Sequence, residues 1–269
     1  MSQAAATQLQ ETAAADSPLK VSLERDGRLL KLTLARPKAN IVDAAMIAAL
    51  VQALDGHLKE PRLRGVLLTA EGPHFSFGAS VDEHLPDSCA QMLKSLHQLV
   101  LRLVESPVPV LVAVRGQCLG GGLEVVAACN LIFAAPNAQL GQPEIKLAVF
   151  APAASCLLPE RIGQAQAEDL LFSGRSVGAE EALHMGLVSV IAEDPDQAAL
   201  EYFDKHLAPV SASTLRYAVR AARQDTALRI RAKISFVEKL YLEEMMKTHD
   251  SVEGLTAFIE KRQPTWLDR

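Results

Sequence analysis

Two glutamates twenty residues apart, Glu124 and Glu144, each stand just inside a segment that reads as the start of a helix. The first lies in VLVAVRGQCLGGGLEVVAACNLIFA, residues 110–134, which reads as strand, glycine-rich turn, helix and strand. Glycines at such a turn let the backbone fold sharply and let a ligand approach the main chain. The helix that opens there presents unpaired N–H groups and the positive end of its dipole, an environment suited to developing negative charge. The second glutamate lies in QLGQPEIKLAVFAPAAS, residues 139–155, where Pro143 suits the first position of a helix and Glu144 the next. Taken singly, each carboxylate is explained by the helix dipole it stabilises, an effect of about 0.3–1 kcal/mol. Taken as a pair they offer acid and base for moving protons, provided their surroundings hold them in different protonation states.

Other readings of these segments fail on spacing. A dinucleotide fingerprint starting at Gly120 needs glycine where Val125 stands, and one starting at Gly116 needs glycine at Cys118. No Gly-Lys-Ser/Thr follows to make a phosphate loop, and no G-x-S-x-G elbow surrounds Ser155. The histidines and the four cysteines, Cys89, Cys118, Cys129 and Cys156, show no metal-ligand spacing, so no metal is expected. His84 and Glu83 read as surface or packing residues, with a part in a nearby pocket as the alternative.

The elements that must position these groups alternate between strand and helix in the first half of the chain. Lys20–Arg25 and Leu29–Ala35 read as a hairpin turned by Asp26-Gly27. Asp43 then caps a helix, and 65–69 and 110–114 read as buried strands on either side of a helix near 89–105. Such alternation implies parallel pairing. From Pro152 onward the pattern is helical apart from a strand near 187–191, and the apolar-periodic run 228–246 suits a cover or an oligomer contact. Three parts are expected: a disordered tail over 1–18, a core over 19–208 and a helical region over 209–269.

Composition narrows the class. With 269 residues, a net charge of −5 and 22% charged residues, the chain is an ordinary globular protein with no overall basic character for nucleic acid. The one basic stretch, Arg216 to Lys233, reads as a solvated helix face, with phosphate contact as the alternative. There is no secretory signal and no apolar run long enough for a bilayer, so a cytoplasmic protein with no membrane partner is expected.

The run GQCLGGGLE, followed by LGQPEI, resembles the crotonase (enoyl-CoA hydratase/isomerase) superfamily. The resemblance extends to ARPKANIVD, HFSFGASVDE, SGRSVGAEEALHMGLVSVI and SVEGLTAFIEKRQPTW, and so covers nearly the whole chain after the tail. It implies an α/β fold, a crotonase (ClpP/crotonase-like) spiral of β-β-α units with a helical C-terminal region for trimerisation. The precedent is a homotrimer or homohexamer. It also implies an acyl-CoA substrate and no cofactor, coenzyme A being part of the substrate.

Carried over by motif, the oxyanion-hole amides fall on Ala79 and Gly121 and the hydratase carboxyls on Glu124 and Glu144. The coenzyme-binding loop falls on Ala79, Ser80, Val81 and Asp82. Many relatives place Asp and Lys in this loop, whereas this chain has Ser80 and Asp82. A cationic contact to the coenzyme is therefore missing or comes from Lys38 or the C-terminal basic residues. Both glutamates together favour a hydratase over an isomerase. Where straight-chain hydratases continue with Pro-Gly-x-Gly-Gly, this chain has Val149-Phe150-Ala151-Pro152-Ala153. That change places Phe150 in the acyl-pocket wall and resembles the branch that hydrates cyclic dienoyl thioesters in anaerobic aromatic degradation.

Overall fold

A computed structural model describes residues 17–269, so the expected tail lies outside the described residues up to residue 16. The chain begins with β1 (Leu19–Glu24) and β2 (Leu29–Leu34), then α1 (Ala44–His57), β3 (Gly65–Ala70) and α2 (Cys89–Val104). Next come β4 (Val110–Val114), β5 (Gln117–Leu119), α3 (Gly121–Ala128), β6 (Leu131–Ala134) and β7 (Gln139–Gly141). The rest holds α4 (Pro152–Ile162), α5 (Gln164–Ser173), β8 (Ser176–Gly178), α6 (Ala179–His184), β9 (Val190–Ile191), α7 (Pro195–Tyr202), α8 (Ala212–Lys239) and α9 (His249–Ile259).

The large sheet has the order β1-β2-β3-β4-β6-β9, antiparallel only between β1 and β2. Strands β3, β4 and β6 are almost wholly apolar because both faces are covered. In β3 the side chains alternate, with Val66 and Leu68 joining the main core and Leu67 a second cluster under α7 with Leu111, Phe133 and Phe203. A small sheet, β5-β7-β8, was hidden in the sequence by its three-residue strands. Parallel bridges Val42↔Ala79 and Ser76↔Cys118 extend it. Each turn of chain therefore lays a strand in the large sheet, then a short extended segment in the small layer, then a helix.

Three local expectations change. The β1–β2 turn has four residues, not two, because Glu24 pairs with Leu29 and Arg28 N–H closes the turn on Glu24 O. Arg25, Asp26 and Gly27 all take positive φ there. Glu144 lies in a 3-10 turn, Pro143–Leu147, that ends at Ala148 in the left-handed region (φ 55°), not in a longer helix. The basic stretch of α8 spends much of its charge on the protein itself. Arg216 donates to the carbonyls of Leu58 and Glu60, and Arg223 to that of Ala128, at the C-terminal ends of α1 and α3. Arg229 pairs with Glu160 and Arg231 with Glu105, so this face ties α8 to its neighbours.

Candidate active site

The small sheet sets the site by register. Ser76 pairs with Cys118 and Cys118 with Leu140, so a step of three residues from each brings Ala79, Gly121 and Pro143 side by side, with Glu144 next. Leu119 N–H donates to Ser76 O and Gly120 N–H to Gly141 O, both at 3.0 Å, which locks the three segments. A Cβ placed on Gly121 would lie 3.0 Å from Ala79 Cβ and 3.1 Å from the Ala79 nitrogen. Any larger residue there would press on Ala79. Gly121 is the first residue of α3, so its N–H has no partner within the helix. Among the described residues neither the Ala79 nor the Gly121 amide donates to another backbone or side-chain acceptor. Two free N–H groups thus lie close together at a helix N-terminus.

The turn into α3 needs a backbone that other residues adopt with strain. Gly120 has φ 50° and ψ −129°, and a Cβ there would stand 2.6 Å from Glu144 Oε1. The Glu144 carboxyl is therefore pressed against the glycine turn, although the residue as a whole is only half-buried. Burial, then the neighbouring Glu124 charge, pushes its pKa up to about 8. Gln142, with its amide nitrogen turned towards Glu144, donates to both carboxyl oxygens at 3.1 and 3.0 Å.

Glu124 is buried one turn into α3. Ala154 N–H, in the first turn of α4, donates to its Oε1 at 2.8 Å. Burial raises the Glu124 pKa, opposed by the amides of Ala154 and Ala153 and by His97. The two carboxyls feel each other, so the buried pair favours one negative charge. The Ala154 N–H at the N-terminus of α4 favours placing that charge on Glu124.

The remaining expected residues fall around this centre. Ala79, Ser80 and Val81 are half-buried, and Asp82 is exposed at the start of a 3-10 turn, Asp82–His84. His84 Nδ1 lies 2.7 Å from Ser80 O and Glu83 Oε1 accepts from Ala44 N–H, so both residues brace the loop. Phe150 is half-buried and meets Tyr241 edge to face, ring centroids 5.4 Å apart. Cys118 is fully buried and its thiol is pushed up by burial, which suits packing rather than attack. Gln142, His97 and Tyr241 carried no distinguishing spacing in the sequence. His97, buried on α2, sits 2.7 Å from Glu238 on α8.

The arrangement sets two unpartnered amides, of Ala79 and Gly121, beside two carboxyls, one of which, Glu144, has its pKa pushed up to about 8. A family model described as enoyl-CoA hydratase/isomerase matches residues 24–269. The chain is 69% identical to a cyclohexa-1,5-dienecarbonyl-CoA hydratase of Thauera aromatica, over 95% of this chain and 99% of that protein. It is 31% identical to a 2,3-dehydroadipyl-CoA hydratase of Escherichia coli K12, over 92% and 98%. An enoyl-CoA hydratase crystal structure from Mycobacterium avium superposes with a TM-score of 0.83 at 25% identity, covering 93% of this chain and 99% of that one.

Proposed function

The chain belongs to the enoyl-CoA hydratase/isomerase family and has the crotonase fold, and from that premise we propose that it hydrates cyclohexa-1,5-diene-1-carbonyl-CoA to 6-hydroxycyclohex-1-ene-1-carbonyl-CoA. The likeness to the Thauera aromatica hydratase supports the cyclic substrate. The observation that carries the chemistry is the Ala154 N–H bond to Glu124 Oε1, beside a Glu144 carboxyl whose pKa burial and Glu124 push up to about 8.

In this reading the thioester oxygen accepts from the Ala79 and Gly121 amides. Water gives a proton to Glu124 as its oxygen bonds to the β-carbon, and the π electrons move into a dienolate whose charge those amides bear. Losing one such donor typically costs about 3–4 kcal/mol. Glu144 delivers its proton to the far end of the diene, and the remaining double bond shifts towards the thioester carbon. The proton held by Glu124 returns to Glu144 to close the cycle. Ser80, Val81 and Asp82 line the coenzyme side and Phe150 the acyl side, with no cofactor beyond the substrate. Exposed Tyr217, Leu228, Phe236 and Phe258 on α8 and α9 suit contacts in a homotrimer or homohexamer. A cytoplasmic setting suits four buried free thiols.

Incubation with the cyclic dienoyl thioester and with crotonyl-CoA tests the substrate. Faster hydration of the cyclic compound is expected. Preference for crotonyl-CoA, double-bond migration without hydration, or release of free coenzyme A would replace the reading by a straight-chain hydratase, an isomerase or a hydrolase.

A further inference from the structure

Of the three tyrosines, Tyr241 is the one with no surface exposure, and its hydroxyl has no hydrogen-bond partner among the described residues. Buried hydroxyls ordinarily find a partner, and one left alone weakens the fold unless something else completes it. Its position is not a packing accident of a regular helix. Tyr241 sits in a π-helical turn, Leu240–Glu244, that continues α8. Such turns occur frequently at functional sites.

Four neighbours surround the side chain: Phe150, Cys89, Glu124 and Glu144. The ring meets Phe150 edge to face, and the hydroxyl lies close enough to feel the charges of both Glu124 and Glu144. Burial, then Cys89 and those two carboxyls, pushes the phenol further up, so it keeps its proton and acts as a donor. The thioester oxygen is already provided for by the amides of Ala79 and Gly121, which sit at the small sheet. The reacting atom still without a donor is the oxygen of the water, which gives its proton to Glu124.

We propose that Tyr241 contacts the substrate directly, its phenolic O–H donating a hydrogen bond to the oxygen that is added, first as water and then as the product hydroxyl. This rests on the hydratase reading above. The donor fixes the water on the side where the β-carbon arrives and leaves the Glu144 proton free for the far end of the diene. Phe150 and the Tyr241 ring together form an apolar wall for a flat ring.

Tyr241→Phe removes the hydroxyl alone and keeps the ring against Phe150. Turnover in hydration, and in dehydration of the hydroxylated thioester, is expected to fall about two- to tenfold, the weight of one neutral hydrogen bond. KM for the thioester changes little, and the thermal midpoint holds or rises because an unpartnered hydroxyl has left the core. Binding supplies a second measurement. In a Glu144→Gln background, which keeps the thioester unreacted, the protein prefers 6-hydroxycyclohex-1-ene-1-carbonyl-CoA over cyclohex-1-ene-1-carbonyl-CoA, and adding Tyr241→Phe abolishes the preference. Wild-type turnover in Tyr241→Phe, an unchanged preference, or a lower thermal midpoint with equal loss of both ligands would overturn the contact and leave the hydratase reading standing. A wild-type protein that hydrates no enoyl- or dienoyl-CoA would overturn both.

Discussion

Ala154 donates its backbone N–H to Glu124 Oε1 over 2.8 Å, so a carboxyl carried by α3 rests on the first turn of α4. A carboxamide oxygen can accept the same bond, which makes Glu124→Gln a change of charge rather than of shape. Turnover of the variant is expected to fall by about 10²–10⁴, the usual weight of a general base. Acyl-CoA binding should persist, and steady-state hydration beside equilibrium binding checks the split. Full activity would remove Glu124 from proton transfer.

Glu144 must carry a proton to act as the acid. With its pKa pushed up to about 8 by burial and by Glu124, the active form prevails below that value and is lost above it. The kcat/KM profile for the dienoyl thioester is expected to fall on its alkaline side near pH 8. A profile flat to pH 10 would contradict the assignment.

The same shift has a stability consequence. Unfolded, Glu144 ionises near about 4.3, so below that pH both states hold the proton and stability does not depend on this group. Between there and about 8 only the folded state holds it, and stability falls as pH rises, by up to about 1.4 kcal/mol per unit. Glu144→Gln removes that slope. Thermal melts from pH 5 to 8 should show the variant gaining on the wild type as pH rises, while its turnover is about 10²–10⁴ lower.

Gly120 and Gly163 separate strain from geometry. Both have positive φ, 50° and 79°, so alanine at either costs stability, on the order of 1 kcal/mol. At Gly163 a Cβ meets nothing within 4 Å, whereas at Gly120 it meets Glu144 Oε1 at 2.6 Å. Gly163→Ala should therefore melt earlier yet turn over normally, and Gly120→Ala should lose both. Equal activity in the two variants would detach Glu144 from the reaction.

Much of this was legible from the sequence because long elements announce themselves. The Asp43 cap, bonded to Met46 N–H, and the apolar strands β3 and β4 lie within a residue of where periodicity puts them. The small sheet was not legible. Its three-residue strands are too short for any alternation to register, and its pairing joins residues 42 and 22 positions apart, Ser76 to Cys118 and Cys118 to Leu140. Spacing alone marked Glu124 and Glu144 as helix starts, and the family resemblance paired them with Ala79 and Gly121. Gln142, His97 and Tyr241 gave no signal, because a lone polar residue in an apolar stretch looks the same whether it faces a neighbour or a cavity.

Gly254, on α9, lies so close to the turn bearing Glu144 that a Cβ there would stand 2.2 Å from Leu147 O. Behind it, the chain after α9 folds back, with Thr265 N–H on Glu253 and Leu267 N–H on Asp250. During synthesis, then, the perch of Glu144 stays unbraced until more than a hundred further residues have left the ribosome. A nascent chain stalled before α9 holds both glutamates and still lacks the brace that seats one of them.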